Sequence, residues 1–168
     1  MSAFFRSLLR SHLWLLLLAA LSVHSFGMAK KKLETTVRFF TEANEQDTER
    51  FAEPLILHNP PRQAFISRIP DISERDVVAI YPFQAADGTW GCAFKLDEHG
   101  KIALNTLSVE RRGTSIVAFV NIRQVIDMKI DRIINDGIIV IQFGLTPEEV
   151  DLLKKRFRVL GETGKKKK

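Results

Sequence analysis

The sequence predicts an α+β domain, with helices packed on a sheet. Three observations predict it. Val77 to Leu96 sets two largely apolar runs on either side of an Asp87-Gly88 turn, as a hairpin does. Two compact, β-branched runs, Ser115 to Asn121 and Ile138 to Phe143, read as buried strands. Asp97 and Thr146 each stand before a stretch of helical spacing, where a short polar side chain can cap the first turn.

In chain order, Thr35 to Glu42 alternates and reads as a strand with an aromatic face, Val37 and Phe39 against Arg38 and Phe40. Glu45 to Phe51 reads as one helical turn. Pro54, Pro60, Pro61 and Pro70 cut the next segment, 54–70, into short extended pieces at Leu55 to Leu57 and Ala64 to Ile66. The hairpin strands are Val77 to Phe83 and Thr89 to Leu96, with Tyr81 and Trp90 placed to pair across them. Glu98 to Val109 carries Ile102, Ala103, Leu104 and Leu107 at helical spacing; a second hairpin turning at Asp-Glu-His-Gly is the competing reading. Gly113 terminates the element. Arg123 to Ile134 reads as one or two short edge strands. The last helix starts with a capping box, Thr146 at the N-cap, Pro147 at the first position and Glu149 at the third. Val150, Leu153 and Phe157 make its apolar stripe, Leu152 and Leu160 widen it, and Gly161 stops it.

The N-terminus has the order of a secretory signal peptide: Arg6 and Arg10, an apolar run from Leu13 to Val23, then small residues. Cleavage after Ser25, Gly27 or Ala29 fits equally. The run is shorter than the about 20 apolar residues of a membrane span; an uncleaved anchor is the alternative. The division read from the sequence is a signal peptide at 1–27, a basic linker at 28–34, one domain at 35–162 and a basic tail at 163–168. The expected location is the periplasm, with membrane tethering if the signal is retained. Cys92 is the single cysteine, so an internal disulfide is excluded; it lies in an apolar strand and reads as a small buried hydrophobe.

The net charge of +5 belongs to the ends. All 20 acidic residues fall between Glu34 and Glu162, whereas 9 of the 25 basic ones are Arg6, Arg10, Lys30 to Lys32 and Lys165 to Lys168. That leaves 16 basic against 20 acidic side chains in 33–164, a net of −4, which is unlike a globular nucleic-acid reader. The Lys runs suit weak contact with an anionic membrane surface or polymer.

Nothing in the pattern assigns a catalytic residue, a metal or a cofactor. His58 and His99 stand alone, without Cys or His at ligand spacing. Asp127, Asp131 and Asp136 have the spacing of turns and strand ends. The candidate binding residues are Arg111 and Arg112, a guanidinium pair between Ser108 and Gly113, together with Phe40 and the terminal Lys165, Lys166, Lys167 and Lys168.

Residues 93 to 153 resemble the head of the large periplasmic domain of SecD, the accessory membrane subunit of the Sec protein-export machinery. The resemblance is carried by Phe94, Gly100, Leu104, Leu107, Ser108, Gly113, Ile116 to Val120, Val125, Gly137, Ile138 to Ile141, Phe143, Thr146, Glu148, Glu149 and Leu152. Asn121-Ile122 stands where that family turns on an Asp/Asn-Gly pair, and no proline stands near Met128. The resemblance implies a βαββα arrangement similar to ferredoxin-like sandwiches, a mixed or antiparallel sheet with two helices on one face. No counterpart of SecD's membrane helices is read in the chain, so a proton-driven motor is not implied. The expected function is therefore a non-enzymatic binding domain of the bacterial envelope. Its expected partner is an envelope protein or extended polypeptide, taken at a free sheet edge or along 54–70. A surface-adhering protein held on anionic lipid or polymer by its Lys-rich ends is the alternative.

Overall fold

The computed structural model describes residues 35–43 and 51–161. Their elements are β1 (Val37–Thr41), β2 (Ala52–His58), β3 (Pro61–Ser67), β4 (Ile72–Ser73), β5 (Val77–Gln84), β6 (Trp90–Leu96), α1 (Glu98–Glu110), β7 (Ser115–Val120), β8 (Arg123–Lys129), β9 (Ile138–Leu145), α2 (Pro147–Arg156) and β10 (Arg158–Val159). This is the α+β class that the sequence predicts. The strands are shared between two four-stranded sheets, ordered β4-β1-β7-β8 and β10-β5-β6-β9, and a separate β2-β3 hairpin, rather than forming one sheet. The cause is β1, which pairs antiparallel with β7 and β4 and draws β8 with them, while β9 takes its place beside β6. Every pairing is antiparallel except β10 with β5.

The two sheets share one core. Val37, Phe39, Ile116, Ala118 and Val120 of the first sheet cluster with Ile80, Cys92, Phe94, Ile139 and Ile141 of the second. The rings of Phe39 and Phe94 meet edge to face at 5.7 Å. Leu104 from α1 and Val150 and Leu153 from α2 complete the cluster. Each buried Val, Leu, Ile or Phe of this cluster contributes about 1.5–3 kcal/mol by leaving water. The other face of the first sheet is covered by the hairpin: Leu57, Ala64 and Ile66 pack on Val117, with Phe40 and Phe119 half-buried alongside. Phe40 thus lies on an inner strand, edge to face with Phe119 at 5.4 Å, and not on an exposed edge.

Local chemistry explains most boundaries. Asp97 accepts the Gly100 N–H at 2.8 Å, so 98–109 is helical and the hairpin alternative falls. The capping box at Thr146 and Glu149 forms in both directions. Asp87 accepts the backbone and hydroxyl of Thr89 at 2.9 and 2.7 Å and shapes the β5-β6 turn. In that hairpin Tyr81 stands opposite Ala93 and Trp90 opposite Gln84, so the expected Tyr81–Trp90 pair does not form. Between β7 and β8, Asn121 itself adopts φ 57°, which a short polar side chain tolerates, and supplies the turn without a glycine. The last helix ends at Arg156, five residues before Gly161. Phe157 is extended, and Arg158-Val159 pairs with Ala79-Ile80 instead. Leu152 and Leu160 are exposed and do not widen the buried stripe.

The expected signal segment, Lys30 to Lys32, the stretch 44–50 of the expected helical turn and Lys165 to Lys168 lie outside the described residues. Among the described residues no helix is long and apolar enough to cross a membrane.

Candidate functional site: a cleft between two sheet edges

Each sheet ends in a strand with one free side, β8 in the first and β9 in the second. At one end the two edges touch. Gly144 comes so close that a Cβ there would lie 3.3 Å from the Val125 carbonyl oxygen. Arg123 at the start of β8 closes this end. It donates to both carboxylate oxygens of Glu149, at 2.8 and 2.5 Å, and to the Gly144 carbonyl at 2.8 Å. Glu149 is nearly buried and also accepts the Thr146 N–H, so the cap of α2 and the clasp share one carboxylate.

At the other end the edges are unpaired, and a cleft of about 440 Å³ opens between them. Met128 and Lys129 line it from β8, Ile138, Val140 and Gln142 from β9, and the segment 130–137 closes its rim. That segment is held to α1 rather than loose. Ser108 is buried and its hydroxyl accepts the Ile134 N–H at 2.9 Å, while the Asn105 amide donates to the Ile134 carbonyl at 3.2 Å.

The register of β6 with β9 fixes which backbone groups face the cleft. Leu96 donates to the Gly137 carbonyl, and Phe94 and Cys92 stand opposite Ile139 and Ile141. In an antiparallel ladder the bonded residues alternate with residues whose groups point away. Ile139 and Ile141 therefore bond toward β6, and Ile138 and Val140 turn their backbone outward. Asp136 already accepts the Ile138 N–H at 3.0 Å. The N–H and C=O of Val140 are left as an outward pair with no strand beside them among the described residues.

The sequence-derived candidates fall in three places. Arg112 is exposed and donates to the Asp131 carbonyl at 3.2 Å, which puts it at the cleft rim. Arg111 caps α1 with its backbone, bonding Leu107 at 2.8 Å. Phe40 lines a separate groove of about 290 Å³, beneath Pro54 and Leu55 of the hairpin. The terminal lysines lie outside the described residues. Val140 and the cleft itself escaped sequence reasoning, because strand order decides which strand is an edge.

Two chemical groupings complete the inventory. His99 Nδ1 lies 2.9 Å from Asp76 Oδ1, and Asp97 stands with them at the start of α1. Both carboxylates have work there: Asp97 caps the helix, and Asp76 accepts the backbone and hydroxyl of Ser73 at 2.8 and 3.0 Å. Burial pushes the Asp76 carboxyl up, but donors from Ser73 and His99 outweigh it and hold the group below the usual carboxylate range. Cys92 is fully buried, and burial pushes its thiol up to about 12. Iodoacetamide at neutral pH is expected to leave Cys92 unmodified in the folded protein and to alkylate it fully in denaturant, read by intact mass.

No family model matches the chain, and no curated protein matches it. Among solved structures it is similar to SecDF, a membrane component that enhances protein export, with a TM-score of 0.50 and 14% identity over 74% of this chain. It is similar to the same extent to SecDF in a super-membrane-facing form. The chain spans 64% of the length of the first and 19% of the second. The shared part reaches beyond residues 93 to 153, where the sequence carries the resemblance. At this identity what is shared is architecture: this chain has an α+β fold similar to that of SecDF.

Proposed function

We propose that this protein is an exported, non-enzymatic binding domain of the bacterial envelope that holds an extended polypeptide along the free edge of β9. The observation that carries the reading is the outward N–H and C=O pair of Val140, at a cleft whose two walls are unpaired sheet edges. Strand addition supplies main-chain hydrogen bonds to any extended chain, and the cleft supplies room for its side chains. The fold likeness to a component that enhances protein export supports a polypeptide as the ligand. The signal-like order of residues 1–27 supports export to the periplasm.

Val140→Pro tests it. Proline removes only the outward N–H, a change that an edge strand accommodates, whereas Ile139→Pro removes a donor to β6 and is expected to unfold the protein. The probe is a reduced, carboxymethylated polypeptide titrated against the full chain, followed through backbone amide shifts. Shifts are expected at 138–142, with affinity lost by about tenfold or more in Val140→Pro. Unchanged binding by a folded Val140→Pro variant sinks the reading.

A further inference from the structure

The β9 cleft also specifies what kind of polypeptide fits, and here we infer that it selects segments whose apolar residues alternate with polar ones. The inference rests on the strand-addition reading and adds a specificity to it. A strand laid against β9 continues the second sheet, so its side chains alternate between the two faces of that sheet. On the inner face lie Ile139 and Ile141, packed in the core between the sheets. Side chains that the added strand points to this face enter the cleft. Its walls there are aliphatic: Ile116, Met128, Ile130 and Ile134 are buried or half-buried, and Ile133 stands 54% exposed at the mouth. On the outer face the added strand lies beside Ile138 and Gln142, which are exposed, and Val140, which is half-buried. Each second residue of the ligand is therefore desolvated more fully than the residues between them.

Charge does not compete with this selection. Residues 138 to 145 carry no ionisable side chain, and the rim sets Lys129, Arg132 and Arg112 against Asp131 and Asp136, an excess of one cation. The pattern of the ligand decides, and one net charge at the rim biases it little. A second copy of this chain is a poor occupant. Its β9 already commits Ile139 and Ile141 to its own core, so edge-to-edge pairing would leave the cleft unfilled. The matching partner is a chain in transit whose sequence is written for a one-sided sheet, with apolar residues at every second position.

Two isomeric peptides of Val and Thr with terminal lysines separate the possibilities. One alternates Val and Thr; the other arranges them in doublets, so that every face of an extended strand carries both. The alternating isomer is expected to bind the full-length protein about tenfold more tightly, since the doublet isomer must place a hydroxyl in the aliphatic cleft. Ile133→Ser, at an exposed position that the fold does not need, is expected to narrow the difference. Val140→Pro is expected to abolish binding of both. Equal affinities in the wild type, with both lost in Val140→Pro, overturn the selectivity and leave strand addition standing. Binding of both isomers that survives Val140→Pro overturns the two together. A concentration-dependent dimer that Val140→Pro dissolves, with neither isomer bound, assigns the edge to a second copy and also overturns the inference.

Discussion

Gly91→Ala is expected to destabilise the protein by about 3 kcal/mol, at the upper end of overpacking penalties. Gly91 lies in β6, between its neighbours β5 and β9. A Cβ there would sit 2.5 Å from the Gln142 carbonyl oxygen and 2.5 Å from the ring of Phe83. The ring can rotate or be trimmed, but the carbonyl belongs to the backbone of β9 and moves only with the strand. The register shift between β6 and β9 falls at this point, between the pairs at Trp90 and Cys92, so the ladder has already spent its slack here. Thermal unfolding should show a midpoint lower by about 6–12 °C, using about 2–4 °C per kcal/mol for a chain of this size. The double variant Phe83→Leu/Gly91→Ala should recover part of the loss and not all of it. Full recovery would put the whole clash on the ring and none on the backbone. A midpoint unchanged in the single variant would mean that β6 and β9 are not packed as described.

What was legible in the sequence was chemistry that acts over a few residues. The Asp87-Gly88 turn, the Asp97 cap and the Thr146-Glu149 capping box depend on neighbours within one turn, and all three stand where the sequence puts them. Partners distant in the chain were not legible. β1 alternates as any strand does, and nothing in Val37 to Thr41 says that it pairs with β7. Arg158-Val159 follows a run of helix formers, yet pairing with Ala79-Ile80 outweighs helix propensity there. The prolines of 54–70 read as interruptions. Two of them, Pro54 and Pro61, stand in β2 and β3 at positions that turn away from the partner strand, where a missing N–H costs nothing.

The candidate site shows the same division. Residues 138 to 143 read as a strand, and the fold bears that out. That this strand is an edge, that Val140 rather than Ile139 faces outward, and that β8 stands across a gap all follow from register and strand order. The sequence pairs Arg112 with its neighbour Arg111, but the fold ties it to Asp131 at the cleft rim instead. Asp127 has the same turn-like spacing as Asp131 and Asp136, yet it is the one that the fold buries.

Asp127→Ala is expected to cost about 3 kcal/mol, and the loss should be felt first in the hairpin. The carboxylate is 1% exposed, on the face of β8 that the hairpin covers. It accepts the His58 N–H at 3.0 and 3.1 Å and the Asn59 N–H at 2.7 Å, from the turn that joins β2 to β3. A bond to a charged group contributes about 1.5–3 kcal/mol, and removing the acceptor leaves two donors at the seat of the turn without a partner. Asp127→Asn should restore part of the loss, because an amide oxygen in the place of Oδ2 reaches both N–H groups, at 3.1 and 2.7 Å, but without the charge. This end of the hairpin keeps Leu57 seated on Val117, the Arg62 guanidinium on Glu42 at 2.5 Å and the Gln124 amide on the Ile56 carbonyl at 3.1 Å, so the turn should open before the strands come away. Native-state hydrogen exchange separates a local effect from a global one. Amides of β2 and β3 should lose protection in Asp127→Ala while those of β6 and β9 keep theirs, because the core between the two sheets holds no residue of the hairpin. Uniform loss across both sheets would mean that the hairpin and the sheets unfold as one unit. The β8 edge would then depend on its cover, and Asp127 would be a support of the cleft as well as of the turn.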